Sequence, residues 1–321
     1  MSEKELYDYL VREERYDSSR QDCYGFSKGG DVRNGRSLAV GNMVGGFPFT
    51  MEGVRFNNSE CAYIAGLFSD GTPENFAIQR QLAACTNGLM AKRGIRKPNE
   101  KKMRKDFFTF NIEWMLYVVW CKCVGNADFR RLLLAFPEDS VILEDVSSHP
   151  RSTGNIWGCC NDLLKGRLKA RKNELKNQGL GKTEIDRRLD ALRLGEWSRE
   201  GEFVGQNIMG KVLMVCRDAL RAGTTPAIDL ELLRKANINF FGTVLTFTEV
   251  PSVGAEPKTA LTVDSEPEMV LEYAEGDRVY HQVFGEGKVQ SISPDRSRVT
   301  VDFGGVVKTL SPRYAKLEAL R

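Results

Sequence analysis

Acid–base chemistry in this sequence must depend on carboxylates, lysine or tyrosine, because histidine is nearly absent. The chain of 321 residues has only two histidines, His149 and His281. It has no Gly-x-x-x-x-Gly-Lys-Ser/Thr phosphate loop and no Gly-x-Gly-x-x-Gly dinucleotide motif. Carboxylates and lysines are therefore the groups to follow as proton carriers and nucleophiles.

Metal and disulfide chemistry are not expected. None of the eight cysteines forms a Cys-x-x-Cys pair, since Cys121 and Cys123 are one residue apart and Cys159 and Cys160 are adjacent. Reduced, mostly buried thiols are the better interpretation. We expect no metal and no cofactor.

Bulk charge and hydropathy exclude several classes of protein. The net charge of +3 excludes a strongly basic nucleic-acid coat protein and an acidic disordered tail. The longest apolar run, Trp114–Cys121, is too short for a membrane span, and the charged N-terminus lacks a secretory signal. These features predict a cytoplasmic protein with no membrane association.

The elements that must position the reactive groups are typical of an α+β protein. Residues 1–250 are predicted to form a helix-rich domain, with a charged helical hairpin inserted at about 163–200 and broken at Gly179–Gly181. Residues 251–274, rich in proline, serine, threonine and glutamate, are predicted to be a linker. Residues 275–321 alternate apolar and polar residues in short runs, which predicts a small antiparallel β-barrel.

Local patterns predict individual elements of the large domain. A β-hairpin turned at Glu52-Gly53 is expected over Phe47–Phe56, followed by the capping residues Asn57, Asn58 and Ser59. The predicted helices are Glu3–Arg15, Glu60–Phe68, Asp106–Val124 and Gly205–Arg221.

A succession of motifs then points to a known family. The motifs are GNMVGGFPFTMEGVRFNNSECAYIAGLF, GLMAKRG, EWMLYVVWCKCVGN, VILEDV, IWG and GQNIMGKVLMVCRDAL. In this order they resemble the NADAR (YbiA-like) family, over about Gly41 to Leu220 and leaving the charged insertion out. The resemblance implies a helix-rich NADAR/YbiA-like domain that cleaves an N-glycosidic bond to ribose.

Matching the motifs residue by residue gives the candidate site. The candidate catalytic residues are Glu60, Lys122 and Glu144. The candidate ligand-binding residues are Asn42, Tyr63, Lys92, Arg93, Asp145, Trp157, Gly158, Asn207, Gly210 and Arg217. The chain departs from the family's pattern at Gly41, Cys123 and Gly154; the family has an aspartate at the last position, and Asp145 is the candidate to replace it.

Two chemistries fit such a site. Cleavage creates an oxocarbenium-like ribose, so a carboxylate must stabilise positive charge or activate water, and Glu60 at a helix start is the first candidate. Alternatively, Lys122 captures the ring-opened ribose as a Schiff base, or it pairs with Glu60 or Glu144 and only positions the carboxylate. Trp157 is either a stacking surface for a base or a core residue.

Two basic runs flank these motifs. One contains Lys92, Arg93, Arg96, Lys97, Lys101, Lys102, Arg104 and Lys105, and the other contains Lys165, Arg167, Lys169, Arg171 and Lys172. Both fit a phosphate-bearing substrate, either the pyrophosphate of ADP-ribose or a nucleic-acid backbone, although such runs are also typical of solvated helix faces.

The C-terminal residues 275–321 resemble the Tudor/SH3-like module at the end of UvrD/PcrA-type helicases. The resemblance rests on the Gly-Asp-Arg-Val, His-x-x-Phe-Gly-Glu-Gly and Asp-Phe positions. It implies recruitment to RNA polymerase or DNA, with His281 as a residue of the module and not of an active site.

Three functions follow from these resemblances. The first is a hydrolase that removes ADP-ribose from ADP-ribosylated guanine in nucleic acid, as the antitoxin to a guanine ADP-ribosyltransferase toxin. The alternatives are an N-glycosidase for a phosphoribosylated riboflavin-pathway metabolite, and a non-catalytic ADP-ribose reader. The expected partners are ADP-ribose or ADP-ribosylated DNA, and a cognate toxin.

Overall fold

Helices and short strands alternate along the chain, which divides into two compact units, Met1–Leu261 and Thr262–Arg321. The computed structural model describes residues 1–148, 156–254, 271–282, 284–292, 298–310, 312, 315 and 317–320. The predicted linker lies largely outside the described residues, as do His149 and Gly154.

The first unit contains most of the helices. They are α1 (Glu3–Val11), α2 (Ser59–Gly66), α3 (Pro73–Ala84), α4 (Asn111–Gly125), α5 (Ala127–Leu134), α6 (Asp162–Asn177), α7 (Lys182–Leu194), α8 (Ile208–Ala222) and α9 (Leu230–Lys235). Shorter helical turns cover Gly88–Met90, Ala91–Arg96, Lys97–Lys102, Phe107–Thr109 and Glu196–Arg199.

The strands of this unit are short and pair in twos. They are β1 (Glu14–Asp17), β2 (Cys23–Phe26), β3 (Val32–Arg33), β4 (Arg36–Ser37), β5 (Phe49–Met51), β6 (Val54–Phe56), β7 (Val141–Glu144), β8 (Glu202–Gly205), β9 (Asn239–Phe240) and β10 (Thr243–Val244). β2 and β7 are parallel, whereas the pairs β1–β8, β3–β4, β5–β6 and β9–β10 are antiparallel.

Helix α4 forms the centre of the core. Every residue from Glu113 to Cys123 is buried, as expected for a helix that is apolar on nearly all sides. Helix α2 packs closely on it: a Cβ at Gly66 would lie 2.4 Å from Nε1 of Trp114, so only glycine allows this approach. The contact fixes the position of α2 and of the residues at its start.

Several predicted elements are confirmed. β5 and β6 form a hairpin whose turn residues, Glu52 and Gly53, both have positive φ. Asn58 caps α2 by accepting a hydrogen bond from the backbone N–H of Cys61. The charged insertion is a helical hairpin, α6 and α7, with its break at residues 178–181.

The prediction for Gly205–Arg221 is wrong at its start, because Gly205 is the last residue of strand β8 and α8 begins at Ile208. Two further predicted helices are shorter than expected. The prediction for Glu3–Arg15 is wrong beyond Val11, because Glu14–Asp17 instead pairs with Glu202–Gly205 as strand β1. The prediction for Asp106–Val124 is wrong at its start, because Phe107–Thr109 forms a separate 3₁₀ turn before α4. In both cases tertiary contacts override the local pattern.

The second unit contains a small antiparallel sheet. Its strands are β11 (Arg278–His281), β12 (Gly285–Ile292), β13 (Val299–Asp302), β14 (Val307–Leu310) and β15 (Glu318–Ala319), in the order β14-β13-β12-β11-β15. Val279, Val289, Val299 and Val301 are buried beneath it. Between them, Gly287 has no room for a Cβ, which would lie 2.5 Å from the ring of Phe303.

Cysteine burial agrees with the sequence prediction. All eight cysteines are buried and none forms a disulfide. Across the part of the chain that the structure describes, no helix combines the length and apolarity needed to cross a membrane.

Lys122 is a cation in the middle of the core. It is 0% exposed, and its Nζ lies 3.8 Å from the ring centroid of Phe129 and 5.3 Å from that of Phe47. Nζ has no hydrogen-bond partner among the described residues. Burial lowers the pKa of Lys122 to about 7, and the two rings offset only part of the desolvation cost.

We expect the substitution Lys122→Met to stabilise the protein, and more at pH 7 than at pH 10. The pKa of Lys122 is lower in the folded chain than in the unfolded chain, so the unfolded chain binds an extra proton between these values and wild-type stability falls as pH decreases from 10 to 7. The expected gain at pH 7 is about 2–4 kcal/mol. Urea unfolding of wild type and variant at both pH values measures it.

The exposed residue Lys176 provides the matched control, since Lys176→Met removes the same charge without a desolvated environment. Its effect on stability should be small at both pH values. An equal effect of Lys122→Met at pH 7 and pH 10 would contradict the prediction.

Candidate active site

Glu144 is the last residue of strand β7, which is hydrogen-bonded along both edges. On one edge β7 pairs with β2. On the other edge the side chain of Asn207 replaces a strand: its Oδ1 accepts from the N–H of Glu144 (3.1 Å), and its Nδ2 donates to the carbonyl of Ile142 (2.9 Å). Asn207 holds this position with φ of 53°, a left-handed conformation that asparagine tolerates. These contacts fix the backbone from which the Glu144 carboxylate projects.

Gly158 packs directly against the backbone of Glu144. The N–H of Cys159 donates to the carbonyl of Glu144 (2.8 Å), and a Cβ on Gly158 would lie 2.4 Å from that carbonyl oxygen. A side chain at this position would therefore push the segment away. Gly158 thus places the neighbouring Trp157 beside the site.

Glu60 lies in the first turn of α2 and is 7% exposed. Asn42 binds it twice: Nδ2 of Asn42 donates to Oε2 of Glu60 (2.8 Å), and the N–H of Glu60 donates to the carbonyl of Asn42 (3.1 Å). Oδ1 of Asn42 is buried and has no hydrogen-bond partner among the described residues. Asn42 therefore orients Glu60, and its Oδ1 can still accept a hydrogen bond.

A single π-helical turn, Ala91–Arg96, brings positive charge to these carboxylates. The N–H of Lys97 bonds to the carbonyl of Lys92, five residues back. Lys92 acts electrostatically on both Glu60 and Glu144, and Arg96 acts on Glu60. The turn is held beside Asn42 because Met43 lies against Gly88, where a Cβ would be 2.8 Å from the Met43 Cα.

Aromatic side chains form one side of the site. The rings of Tyr63 and Trp157 meet edge to face at 5.6 Å, and Tyr63 also contacts Phe107 at 5.2 Å. The hydroxyl of Tyr63 accepts from Nδ2 of Asn111. Burial and the charge of Glu60 raise the pKa of Tyr63 to about 12, so it stays protonated. Tyr63 and Trp157 are half-buried and accessible to a ligand.

Both carboxylates have raised pKa values. Burial, with a smaller contribution from the charge of Glu60, raises the pKa of Glu144 to about 7, while Lys92 acts in the opposite direction. Burial also raises the pKa of Glu60, against the effects of Lys92, Asn42 and Arg96. Glu144 is therefore partly protonated near neutral pH.

The structure therefore brings together seven of the residues predicted from the sequence. They are Asn42, Glu60, Tyr63, Lys92, Glu144, Trp157 and Gly158. Together they present an acid–base pair, two aromatic rings and a cation, which is a set suited to a base attached to a phosphorylated sugar.

Lys122 does not pair with Glu60 or Glu144. Its side chain contacts the rings of Phe47 and Phe129, and among the described residues no ion pair joins it to Glu60 or Glu144. The lysine that interacts with both carboxylates is Lys92.

Asp145 points to a different partner. Its Oδ1 accepts from the N–H of Ser147, and its Oδ2 lies 3.8 Å from Nη1 of Arg193 on α7. Arg193 is itself buried and bonds to Asp31 at 2.5 Å. This carboxylate therefore anchors the inserted hairpin.

The predicted residues of the last motif have structural contacts. Asn207 bonds to the edge of β7, and Gly210 allows α8 to pack there, since a Cβ would lie 2.2 Å from the carbonyl of Ile142. Arg217 is buried and donates to the carbonyls of Pro137 and Ser140. Arg93 is exposed on the π-helical turn.

Arg96 belongs to the site but was not assigned to it from the sequence. It acts on Glu60 and on Tyr63. Its position four residues after Lys92, about one helical turn, is the signal that could have identified it.

Comparisons with known proteins leave the function to be argued from this geometry. No protein-family model matches the chain, and no curated protein is significantly similar to it.

Proposed function

We propose that the first unit is an N-glycosyl hydrolase that removes ADP-ribose from ADP-ribosylated guanine bases in nucleic acid. In this role it is the cytoplasmic antitoxin to a guanine ADP-ribosyltransferase toxin. The observation that carries the proposal is a pair of carboxyl groups with raised pKa values, the buried Glu60 and the half-buried Glu144, both of which interact with Lys92. The motif order that resembles the NADAR (YbiA-like) family supports a fold of that kind.

The carboxylate pair supplies what glycosidic cleavage needs. The bond between the anomeric carbon and the guanine nitrogen breaks, and its electron pair and a proton go to the base. A water oxygen bonds to the anomeric carbon and gives up its proton. One protonated and one ionised carboxyl perform these two transfers, and the pKa of about 7 at Glu144 keeps that group partly protonated at neutral pH, as a general acid requires.

The surroundings of the pair favour a phosphorylated nucleoside as substrate. Lys92 and Arg96 offer charge to the pyrophosphate of ADP-ribose, and the rings of Tyr63 and Trp157 offer a surface to a base. Phe108, next to Phe107 and 69% exposed, extends the aromatic surface outward. An exposed ring at the rim suits a base that leaves its stack to enter the site.

Two other functions use the same groups. An N-glycosidase for a phosphoribosylated riboflavin-pathway metabolite needs the same acid–base pair but no contact with nucleic acid. A non-catalytic ADP-ribose reader needs the aromatic and basic residues but no proton transfer. Incubation with guanine-ADP-ribosylated oligonucleotide separates them, because only the proposed hydrolase releases free ADP-ribose from it.

We expect Glu60→Gln and Glu144→Gln each to reduce the rate of ADP-ribose release by about 10²–10⁴-fold, because glutamine cannot transfer the proton. The measurement is single-turnover release of ADP-ribose from the modified oligonucleotide. The exposed Glu138 gives the control variant Glu138→Gln, which should retain the wild-type rate. Full activity of both site variants would remove Glu60 and Glu144 from the mechanism.

The rate constant of cleavage should fall as pH rises above about 7. Because its pKa is raised to about 7, Glu144 is partly protonated at neutral pH and loses its proton as pH increases, which leaves no general acid. Single-turnover rates between pH 5 and 9 measure this decrease, the alkaline limb of the pH–rate profile. Its midpoint should shift or disappear in Glu144→Gln and stay unchanged in Glu138→Gln; an identical midpoint in all three proteins would contradict the assignment.

A lysine route is the second candidate mechanism, and the site geometry assigns it to Lys92. In that route the neutral amine Nζ bonds to the anomeric carbon while guanine leaves with the electron pair and takes a proton. The ribose ring then opens by cleavage of its bond between the anomeric carbon and the ring oxygen, which gives an imine that water hydrolyses to release the sugar and the amine. Any adduct trapped by borohydride should therefore form at Lys92 and be lost in Lys92→Arg. Peptide mass spectrometry locates it; an adduct at the fully buried Lys122 would contradict this assignment.

We propose in addition that the second unit is a Tudor/SH3-like barrel that recruits the enzyme to RNA polymerase or DNA. Its aromatic cluster supports this: the rings of His281 and Phe284 stack at 4.8 Å, Phe303 adjoins them, and Phe284 is 40% exposed. Phe284→Ala in the full chain should weaken binding to purified RNA polymerase or duplex DNA in a pull-down and leave ADP-ribose release unchanged. Unchanged binding to both would exclude this surface.

A further inference from the structure

A basic cavity lies between the inserted hairpin and the segment that follows β7. Its volume is about 300 Å³, and its lining includes Ser147, Ser148, Lys165, Lys169 and Lys172. The three lysines are spaced four and three residues apart on α6, which places them on one helix face. We call them the lysine row.

The arginines and the lysines of the second basic run differ in whether they form ion pairs. Arg167 and Arg171 form ion pairs with Glu200 and Glu174, both at 2.7 Å. In contrast, within the described ranges the lysine row makes no ion pair or hydrogen bond. The arginines are thus neutralised within the hairpin, while the lysines keep their charge available to a ligand.

The acidic group at this cavity does not neutralise the row. Asp190 also lines the cavity, but Nζ of Lys28 binds it at 2.6 Å. Arg193, the remaining charged residue of the lining, is held by Asp31. The cavity therefore carries an excess of positive charge from the lysine row.

A hydrogen bond links the helix that carries the lysine row to the segment that follows Glu144. Oγ of Ser147, three residues after Glu144, accepts a hydrogen bond (2.9 Å) from the N–H of Asn161, which caps α6. Lys165 lies one helical turn beyond that cap. The strand that ends in Glu144 and the helix that carries the row therefore share a fixed junction.

We propose that the lysine row binds successive backbone phosphates of the nucleic-acid strand whose modified base enters the site. This inference rests on the proposed function and adds the means by which a polymer is preferred to a free nucleotide. The row runs from Lys165 to Lys172, seven steps along the helix or about 10 Å. Three lysines spread over that length can contact successive phosphates of one strand, whereas a pyrophosphate, whose two phosphates share one oxygen, needs only one end of the row.

Binding to an unmodified oligonucleotide tests the row without any catalysis. The probe is a fluorescein-labelled single-stranded 12-mer, and fluorescence anisotropy gives Kd at several salt concentrations. The triple variant Lys165→Gln, Lys169→Gln, Lys172→Gln should raise Kd about tenfold or more at low salt. It should also reduce the slope of log Kd against log salt by about 2, since each lost phosphate contact contributes about 0.7.

A matched variant separates this site from a general charge effect. Lys176→Gln, Arg187→Gln, Arg188→Gln removes the same charge from exposed positions of the same hairpin. It should change Kd and the salt slope much less than the lysine-row variant does. Equal losses in the two triple variants, or no loss in either, would overturn the proposal, as would equally tight binding of polyglutamate by wild type.

Activity on two substrates distinguishes the backbone from the pyrophosphate of ADP-ribose. On ADP-ribosylated oligonucleotide, the lysine-row variant should raise KM about tenfold and leave kcat unchanged. On ADP-ribosylated guanosine, both constants should match wild type; an equal rise in KM on that substrate would show a pyrophosphate site and overturn the proposal. If wild type cleaves neither substrate, the proposed function fails, while the anisotropy result still decides whether the row binds nucleic acid.

Discussion

The site depends on hydrogen bonding to both edges of strand β7, although only one edge has a neighbouring strand. Asn207 supplies the second edge by bonding to the N–H of Glu144 and the carbonyl of Ile142. Left unpaired and buried, each of these backbone groups would cost about 1–3 kcal/mol. The left-handed conformation of Asn207 and the absence of a side chain at Gly210 both serve this contact. Asn207 is predicted from the sequence to bind ligand. In the structure Asn207 instead fixes the strand that carries Glu144.

The different surroundings of two lysines, Lys92 and Lys122, show how position decides chemistry. Lys92 lies beside Glu60 and Glu144, and its charge partly offsets the cost of burying them. Lys122 lies among phenylalanine rings, where burial lowers its pKa to about 7. The first arrangement leaves a proton that can be exchanged with a ligand, whereas the second is sealed from one. A lysine in an apolar helix is therefore a weaker sign of catalysis than a lysine next to an acidic pair.

Local patterns in the sequence were sufficient for elements whose cause is local. The Glu52-Gly53 turn, the Asn58 cap and the helical hairpin with its break near Gly179 each follow from a few neighbouring residues. The grouping of Glu60 with Glu144 came from the order of motifs. The sequence did not reveal that Glu14–Asp17 pairs with a strand almost 190 residues later, or that Arg96 turns toward Glu60, since both depend on long-range packing.

Adjacent residues at the end of β7 serve two parts of the molecule. Asp145 continues the extended backbone in an isolated bridge to Cys159, and successive side chains of extended backbone point to opposite sides, so Glu144 lies near Glu60 while Asp145 faces Arg193 of the inserted hairpin. Asp145 therefore cannot turn to replace a site aspartate without breaking the ion pair that anchors the hairpin. The same hairpin carries the lysine row. The end of β7 therefore connects the carboxyl groups proposed to cleave the glycosidic bond with the lysines proposed to bind the nucleic-acid backbone. A shift of β7 would disturb both, which makes the contacts of Asn207 the common support of chemistry and recognition.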